Sequence, residues 1–246
     1  MVNLSDVESM RYRRQIIMEE IGISGQLQLK SGSALIIGVG GLGSPVAMYL
    51  AAIGIGKLGL VDFDKIEVTN LQRQILHTTP EIGKDKVQSA KEKVQSINPE
   101  VCVEAYNLKL SEDNAEQIIA KYDIIVCAVD NIETRQLINK YCVKLSIPMV
   151  ESSISGFDGQ ITTLIPNKTA CYNCLYPKKN DINKNEEIGV IGTVPAVMGS
   201  LQANEVMKFF LRKGKLLENE VLVYNALFTT FKKFKINRRE NCEVCG

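Results

Sequence analysis

The run Ser33-Ala-Leu-Ile-Ile leads directly into Gly38-Val-Gly40-Gly41-Leu-Gly43, four glycines in six residues, and Pro45 to Ile53 then reads as a helix. This order of apolar strand, glycine turn and helix constrains the fold more than any other feature of the chain. The turn fits G-x-G-x-x-G in the context that the pattern requires, after a strand and before a helix. Glycines there let backbone approach a phosphate closely, and the helix N-terminus supplies amide donors and the positive end of its dipole. Ser44 is the expected cap, Pro45 suits the first turn and Gly54 is the stop. Lys57 to Asp62 reads as a second strand, and Asp62 stands nineteen residues after Gly43. A carboxylate at that strand end can accept both hydroxyls of a ribose. The unit is a parallel βαβ crossover around a nucleotide site, and the pattern by itself does not separate NAD from ATP.

The remaining chain continues the alternation. Residues 5 to 20 read as one amphipathic helix, with Ser5 or Asp6 as cap, Arg11, Arg13 and Arg14 together, and Gly22 past its end. Helices are expected at Lys84–Ile97, Asn114–Lys121 and Glu133–Leu145, and strands at Val101–Asn107, Asp123–Val129 and Pro148–Ser152. Two β-rich segments follow, Gly159–Ile165 and Val221–Phe234, with a helix from about Ser200 to Arg212 between them, stopped by Gly214. The polar stretch Pro177–Glu187 is the mobile-loop candidate. The expected architecture is α/β: a Rossmann-like, mostly parallel sheet flanked by helices, with a β-rich C-terminal extension. It forms one domain over 1–246, with a nucleotide-binding half at about 30–150 and a second half at about 151–246.

Composition narrows the chemistry. The 246 residues carry 29 basic and 28 acidic side chains, a net charge of +1, which argues against a nucleic-acid binder driven by bulk charge. No run of about 18 apolar residues predicts a membrane span, and no apolar signal region opens the chain, so a cytoplasmic location is expected. Seven cysteines, an odd number, point to metal or catalytic use over a disulfide framework. His77 is the only histidine, so a histidine-based triad would have to use it and a zinc site must be mostly cysteine. His77 itself is expected to be structural.

Three further groups carry chemistry. Thr69-Asn70-Leu-Gln72-Arg73-Gln74 follows the second strand, and Lys86 opens the next helix. Two cations beside a glycine turn suit a triphosphate better than a nicotinamide dinucleotide, because they neutralise the β and γ phosphates and the leaving pyrophosphate. Asp130-Asn131 closes the strand from Asp123, with Arg135 four residues on. Asp130 can hold Mg²⁺ through oxygen, cap the next helix, or both. Cys171-Tyr-Asn-Cys174 and Cys242-Glu-Val-Cys245 are two CxxC pairs, whose four thiolates fit a closed tetrahedral zinc site. Cys102, Cys127 and Cys142 read as packing residues.

Taken in order, Arg14, the Gly-Val-Gly-Gly-Leu-Gly-Ser turn, Asp62-Phe-Asp64, Thr-Asn-Leu-Gln-Arg-Gln at 69–74, Lys86, Asp130-Asn131 and the two CxxC pairs resemble the MoeB/ThiF/HesA family, relatives of the ubiquitin-activating enzymes. The resemblance runs from about Arg11 to Gly246. It implies ATP-dependent adenylation of the C-terminal glycine of a ubiquitin-like sulfur carrier ending in Gly-Gly, of ThiS or MoaD type, with thiamin or molybdopterin downstream. It implies that Gly41, Asp62, Asn70, Arg73, Lys86 and Asp130 line the ATP site, with Gly38, Gly40, Gly43, Asp64, Gln72 and Asn131 beside them. It also implies that Arg14 reaches in from the other subunit of a homodimer, and that the cysteines hold structural zinc.

The chain departs from the family at one place. Many members carry a cysteine in the loop ahead of Gly189, near the position of Asn185, and no cysteine occurs from Leu175 to Met198. Adenylation without an enzyme–carrier thioester at this loop is expected, with sulfur supplied by a separate persulfide donor. A basic region, nine Lys or Arg against two Glu from Met207 to Arg239, is either a docking surface for an acidic carrier or a lysine-guarded strand edge. Competing readings are an adenylating enzyme acting on another peptide carboxylate, a tRNA-modifying relative, an NAD-dependent oxidoreductase and a non-catalytic zinc module. Mass spectrometry of the enzyme incubated with ATP and carrier is expected to find no DTT-sensitive adduct; such an adduct on a thiol of this chain overturns the thioester-free scheme.

Overall fold

The structure, a computed structural model, describes residues 3–177 and 189–246. One eight-stranded sheet organises it: β1 (Ser33–Ile37), β2 (Lys57–Asp62), β3 (Cys102–Asn107), β4 (Ile124–Cys127), β5 (Met149–Ser155), β6 (Asp158–Leu164), β7 (Glu220–Asn225) and β8 (Thr230–Lys235). The strand order is β3-β2-β1-β4-β5-β6-β7-β8. The first five strands are parallel, and β6, β7 and β8 extend the same sheet as antiparallel neighbours. The mostly parallel α/β fold is as expected, and the C-terminal extension is continuous with the parallel sheet.

β1 shows why the parallel strands read as unbroken apolar runs. Ala34 and Ile36 pack to one face with α4 (Gly43–Ile53), α5 (Lys86–Ile97) and α9 (Thr193–Leu211). Leu35 and Ile37 pack to the other with α6 (Ala115–Ile119) and α7 (Ile132–Leu145). Helices on both faces leave no wet side, so both sets of alternating residues are apolar. Among the described residues no helix is long and apolar enough to cross a membrane.

Three expectations are corrected. The N-terminal helix is broken into α1 (Asp6–Arg11) and α2 (Arg13–Ile16) at Tyr12, whose hydroxyl accepts from Asn98 Nδ2 at 2.7 Å. Burying that ring fixes the chain direction at the break. Ser5 does cap α1, through a reciprocal pair with Glu8. Gly22 takes φ +59 and ends the following turn, but α3 (Gly22–Ser31) begins there, an element with no amphipathic signature. Its buried face is Gly25, Gln26 and Leu29, only one of them a large hydrophobe. Finally, α9 starts at Thr193, not Ser200. Gly199 lies within this helix because α4 passes close: a Cβ there would be 2.4 Å from Pro45 Cγ and 2.5 Å from the Leu42 carbonyl oxygen. Most of the loop candidate, 178–187, and the Asn185 position fall outside the described residues.

A buried ion pair joins α7 to the sheet. Arg135 and Glu151 are 4% and 2% exposed and in direct contact. The Arg135 guanidinium also donates to the carbonyls of Ser152 and Val129. Arg135→Met strands a buried carboxylate and should cost about 3–5 kcal/mol in urea unfolding. The double variant with Glu151→Met should recover most of that loss; equal stability of Arg135→Met and wild type would show that the pair contributes nothing.

Candidate functional site

β1, β2 and β4 end at the same edge of the sheet, and the helices after β1 and β4 cover opposite faces. Strand order reverses between β1 and β4, and such a switch point opens a crevice at the carboxyl ends of the strands. The glycine turn fills its mouth. Gly38 takes φ +94, and a Cβ on it would lie 2.6 Å from the Ala128 carbonyl oxygen, at the end of β4. A Cβ on Gly43 would lie 1.9 Å from the Gly38 carbonyl oxygen. Only glycine allows a turn folded this tightly.

Asp62 fastens the turn to β2. Its Oδ2 accepts the Val39 N–H at 2.9 Å and its Oδ1 accepts the Asp64 N–H at 3.0 Å. Each oxygen keeps a second lone pair for a ribose hydroxyl. Ser44 is not the helix cap: Leu42 occupies that position, and the Ser44 hydroxyl donates to the Gly40 carbonyl at 2.6 Å. α9 also begins at the crevice, with the Pro195 ring 3.4 Å from the Cβ position of Gly41. Two helix N-termini thus converge on the turn, an arrangement suited to an anion.

The expected cations arrive from two directions. Arg73 lies against Gly41, its Cγ 3.6 Å from the Cβ position of that glycine, and Nη1 donates to the Thr69 carbonyl at 2.9 Å. Among the described residues it makes no ion pair. Lys86 opens α5, is buried, and pairs with Asp64 Oδ2 at 2.8 Å. Asn70 is buried and its Oδ1 accepts the Glu67 N–H at 3.1 Å. Gln72 is exposed and reaches the Val190 carbonyl at 3.4 Å. Asp130 stands exposed beyond β4, and Asn131, not Asp130, caps α7 by accepting the Thr134 N–H at 2.8 Å. The Asp130 carboxylate takes only a long contact from Asn131 Nδ2, at 3.5 Å, and its other oxygen can meet a cation.

Gln74 is a residue that sequence reasoning passed over. It is 4% exposed, its Nε2 stands 3.3 Å from the Cβ position of Gly40, and its Oε1 has no hydrogen-bond partner. A buried amide with an unmade bond beside the turn is what a polar ligand would complete. Its place between Arg73 and the apolar Leu76 was the available signal.

Arg14 is not brought to this site within one chain. It is exposed on α2, and its neighbours Tyr12 and Gln15 pack at the far end of α4, against Gly54 and the Ile53 carbonyl. The eleven residues of α4 put about 16 Å between that end and the glycine turn.

The four paired cysteines do meet. Cys171 and Cys242 sulfurs are 3.6 Å apart, Cys174 and Cys245 are 3.5 Å apart, and all four lie within 4.8 Å of one another. Tetrahedral ligands about 2.3 Å from an ion are about 3.8 Å apart, so the sulfurs fit a bound metal as they stand. The Arg239 N–H donates to Cys174 Sγ at 3.4 Å, which favours a thiolate there. Cys127 and Cys142 are buried core, where burial pushes the Cys127 thiol up to about 11; Cys102 is exposed on β3. Of the basic C-terminal residues, Lys208 pairs with Glu205, while Lys215 and Lys233 both pair with Glu220.

Comparison with known proteins places this geometry. The ThiF family model matches residues 12–244. A sulfur carrier protein adenylyltransferase of Thermus thermophilus is 43% identical over 244 residues, covering 96% of this chain and 90% of the relative. An adenylyltransferase and sulfurtransferase MOCS3 of Aedes aegypti is 40% identical over 247 residues; these are 99% of this chain and 56% of that protein's length. A crystal structure of E. coli MccB with ATP superposes with a TM-score of 0.86 at 27% identity, covering 98% of this chain and 75% of that one.

Elemental analysis of protein purified without chelator should find about one divalent metal ion per chain. Cys174→Ser should lose it and melt several degrees lower, as expected when binding a metal contributes to folding. Full metal content in that variant would rule out the four-sulfur site.

Proposed function

The chain belongs to the ThiF family, and from that premise we propose that it is an adenylyltransferase that uses ATP to activate the C-terminal glycine of a ubiquitin-like sulfur-carrier protein ending in Gly-Gly. One observation carries the reading: the glycine turn, Asp62 and two cations converge at the sheet's switch point, and Arg73 reaches it with no acidic partner among the described residues.

A C-terminal carboxylate has a pKa near ~3.5 and is ionised at neutral pH, so no general base is required. Two anions, the carboxylate and the α-phosphate, have to meet. Catalysis is then positioning and neutralisation of charge. Asp62 takes the ribose, with Asp64, Asn70, Gln72 and Asn131 bordering the nucleotide. Gly38, Gly40, Gly41 and Gly43 admit the phosphates to the helix N-termini. Arg73 and Lys86 offset the charge of the departing pyrophosphate. Asp130 holds Mg²⁺, which when bound neutralises phosphate charge. The acyl-adenylate is then open to a persulfide donor, without a thioester on this chain.

Arg14 acts from a second copy of the chain, across a homodimer. The segments near it support this, since Met10 on α1, Ile17 and Met18 after α2, Ile23 on α3 and Tyr49 on α4 are exposed and suited to burial against a partner. The four cysteines hold zinc, the metal their donor set favours. The whole chain acts as one adenylyltransferase domain, with β8, exposed throughout its length and carrying Lys232, Lys233 and Lys235, facing an acidic carrier.

ATP–pyrophosphate exchange tests the reaction. It should require the carrier and vanish when the carrier's last glycine is removed; exchange indifferent to that glycine overturns the substrate. Arg73→Ala should slow exchange by about 100-fold, about 3 kcal/mol in the barrier. Arg14→Ala should be similarly impaired. Mixing Arg14→Ala with Arg73→Ala chains should restore activity if Arg14 serves the partner's site, and no restoration would place it elsewhere.

A further inference from the structure

His77, the only histidine in the chain, is 4% exposed and held on both ring nitrogens. Nε2 lies 3.1 Å from the carbonyl oxygen of Val39, inside the glycine turn. Nδ1 lies 2.9 Å from Ser89 Oγ, one helical turn after Lys86 on α5. The ring therefore joins three elements of the site: the turn, the 70–77 segment that carries Arg73 and Gln74, and the helix that carries Lys86.

Counting protons shows an imbalance. A carbonyl oxygen only accepts, so Nε2 has to carry hydrogen. Ser89 Oγ also lies 3.1 Å from Glu81 Oε1. Burial works against the Glu81 charge, but the Thr78 hydroxyl and N–H and the Ser89 hydroxyl hold its carboxyl below the ordinary range, so it too only accepts. The single Ser89 proton cannot serve both Glu81 and Nδ1. With a neutral ring, Ser89 donates to Nδ1 and Glu81 loses a bond. With a cationic ring, Nδ1–H donates to Ser89, Ser89 donates to Glu81, and every contact is made.

We propose that His77 positions the glycine turn and takes up a proton from solvent when the phosphates of ATP bind there. The inference rests on reading the turn as an ATP site. Without phosphate the cation is disfavoured: burial first, with Lys86 on α5, pushes the imidazole below its usual value, against the Val39 carbonyl, Glu81 on the 79–81 turn and Asp62 at the end of β2, which favour the charge. Phosphates on the amides of the turn add negative charge near the Val39 carbonyl that the ring holds, acting in the same sense as Asp62. They reverse the balance and complete the Ser89–Glu81 chain. By linkage, the protonated ring binds phosphate more tightly by the same factor.

A single histidine makes the measurement direct. The NMR shift of its Cε1–H is followed through pH without and with ATP and Mg²⁺, while calorimetry records ATP binding in the same samples. The pKa should lie below the usual imidazole value without ATP and rise when ATP is bound, with about a tenfold difference in ATP affinity between the two ring states. In His77→Gln, which has no titrating ring, the change in ATP affinity between pH 8 and pH 6 should shrink by a few-fold, less than the full factor because the ATP-free ring is only partly protonated at pH 6, whatever its absolute affinity. ATP binding with an unmoved His77 pKa overturns this inference alone. Absence of ATP binding overturns the nucleotide reading and this inference together.

Discussion

The Gly43 Cα is so near the Gly38 carbonyl oxygen that a methyl group in its place would lie 1.9 Å from it. This close approach folds the turn back on itself and starts α4 at the end of β1. It leaves the intervening amides without helical partners, as at any helix start. Asp62 takes one of them, the Val39 N–H, and His77 takes the Val39 carbonyl. The turn is thus held from β2 on one side and from the 70–77 segment on the other, and what remains open faces the crevice.

Around that turn the fold divides its tasks. The central parallel strands β1, β2 and β4 are largely buried and form the platform on which the loops of the site sit. Arg135 ties the segment before Asp130 to the middle of β5, through the Val129 and Ser152 carbonyls and Glu151. Lys86 is held by Asp64 before any substrate arrives. Charges fixed by the protein in advance cost little reorganisation when a phosphate charge develops, which is how a reaction between two anions is made feasible. The cysteine cluster works at a distance from this chemistry. It gathers the last residues of the chain against α8 (Tyr172–Leu175) and anchors the segment that follows the edge strand β8.

Where sequence reading and structure part, packing is the reason. α3 has two of its three buried positions filled by Gly25 and Gln26, so no apolar stripe announces it; its contacts include close approach of Gly25 to Leu211 and a hydrogen bond from the Gln26 amide to the Ile53 carbonyl. α9 extends two turns before Ser200 because Gly199, a helix breaker by propensity, is the residue that lets α4 and α9 touch. Gln74 and His77 look like polar punctuation in a loop until the structure buries both against the turn.

The amino-acid order alone determined the βαβ start, the acidic strand end at Asp62, the cation set and the two CxxC pairs. These are local patterns, written in spacing and residue type. Tertiary structure decided what was near what. It brought cysteines 71 residues apart to within 3.6 Å, set Arg73 against Gly41, and placed Arg14 at the wrong end of α4 for its own site. It also gave one buried imidazole more acceptors than a neutral ring can satisfy. Spacing along a chain encodes hydrogen bonds within a turn or a helix, but distances between elements follow from how their apolar faces pack.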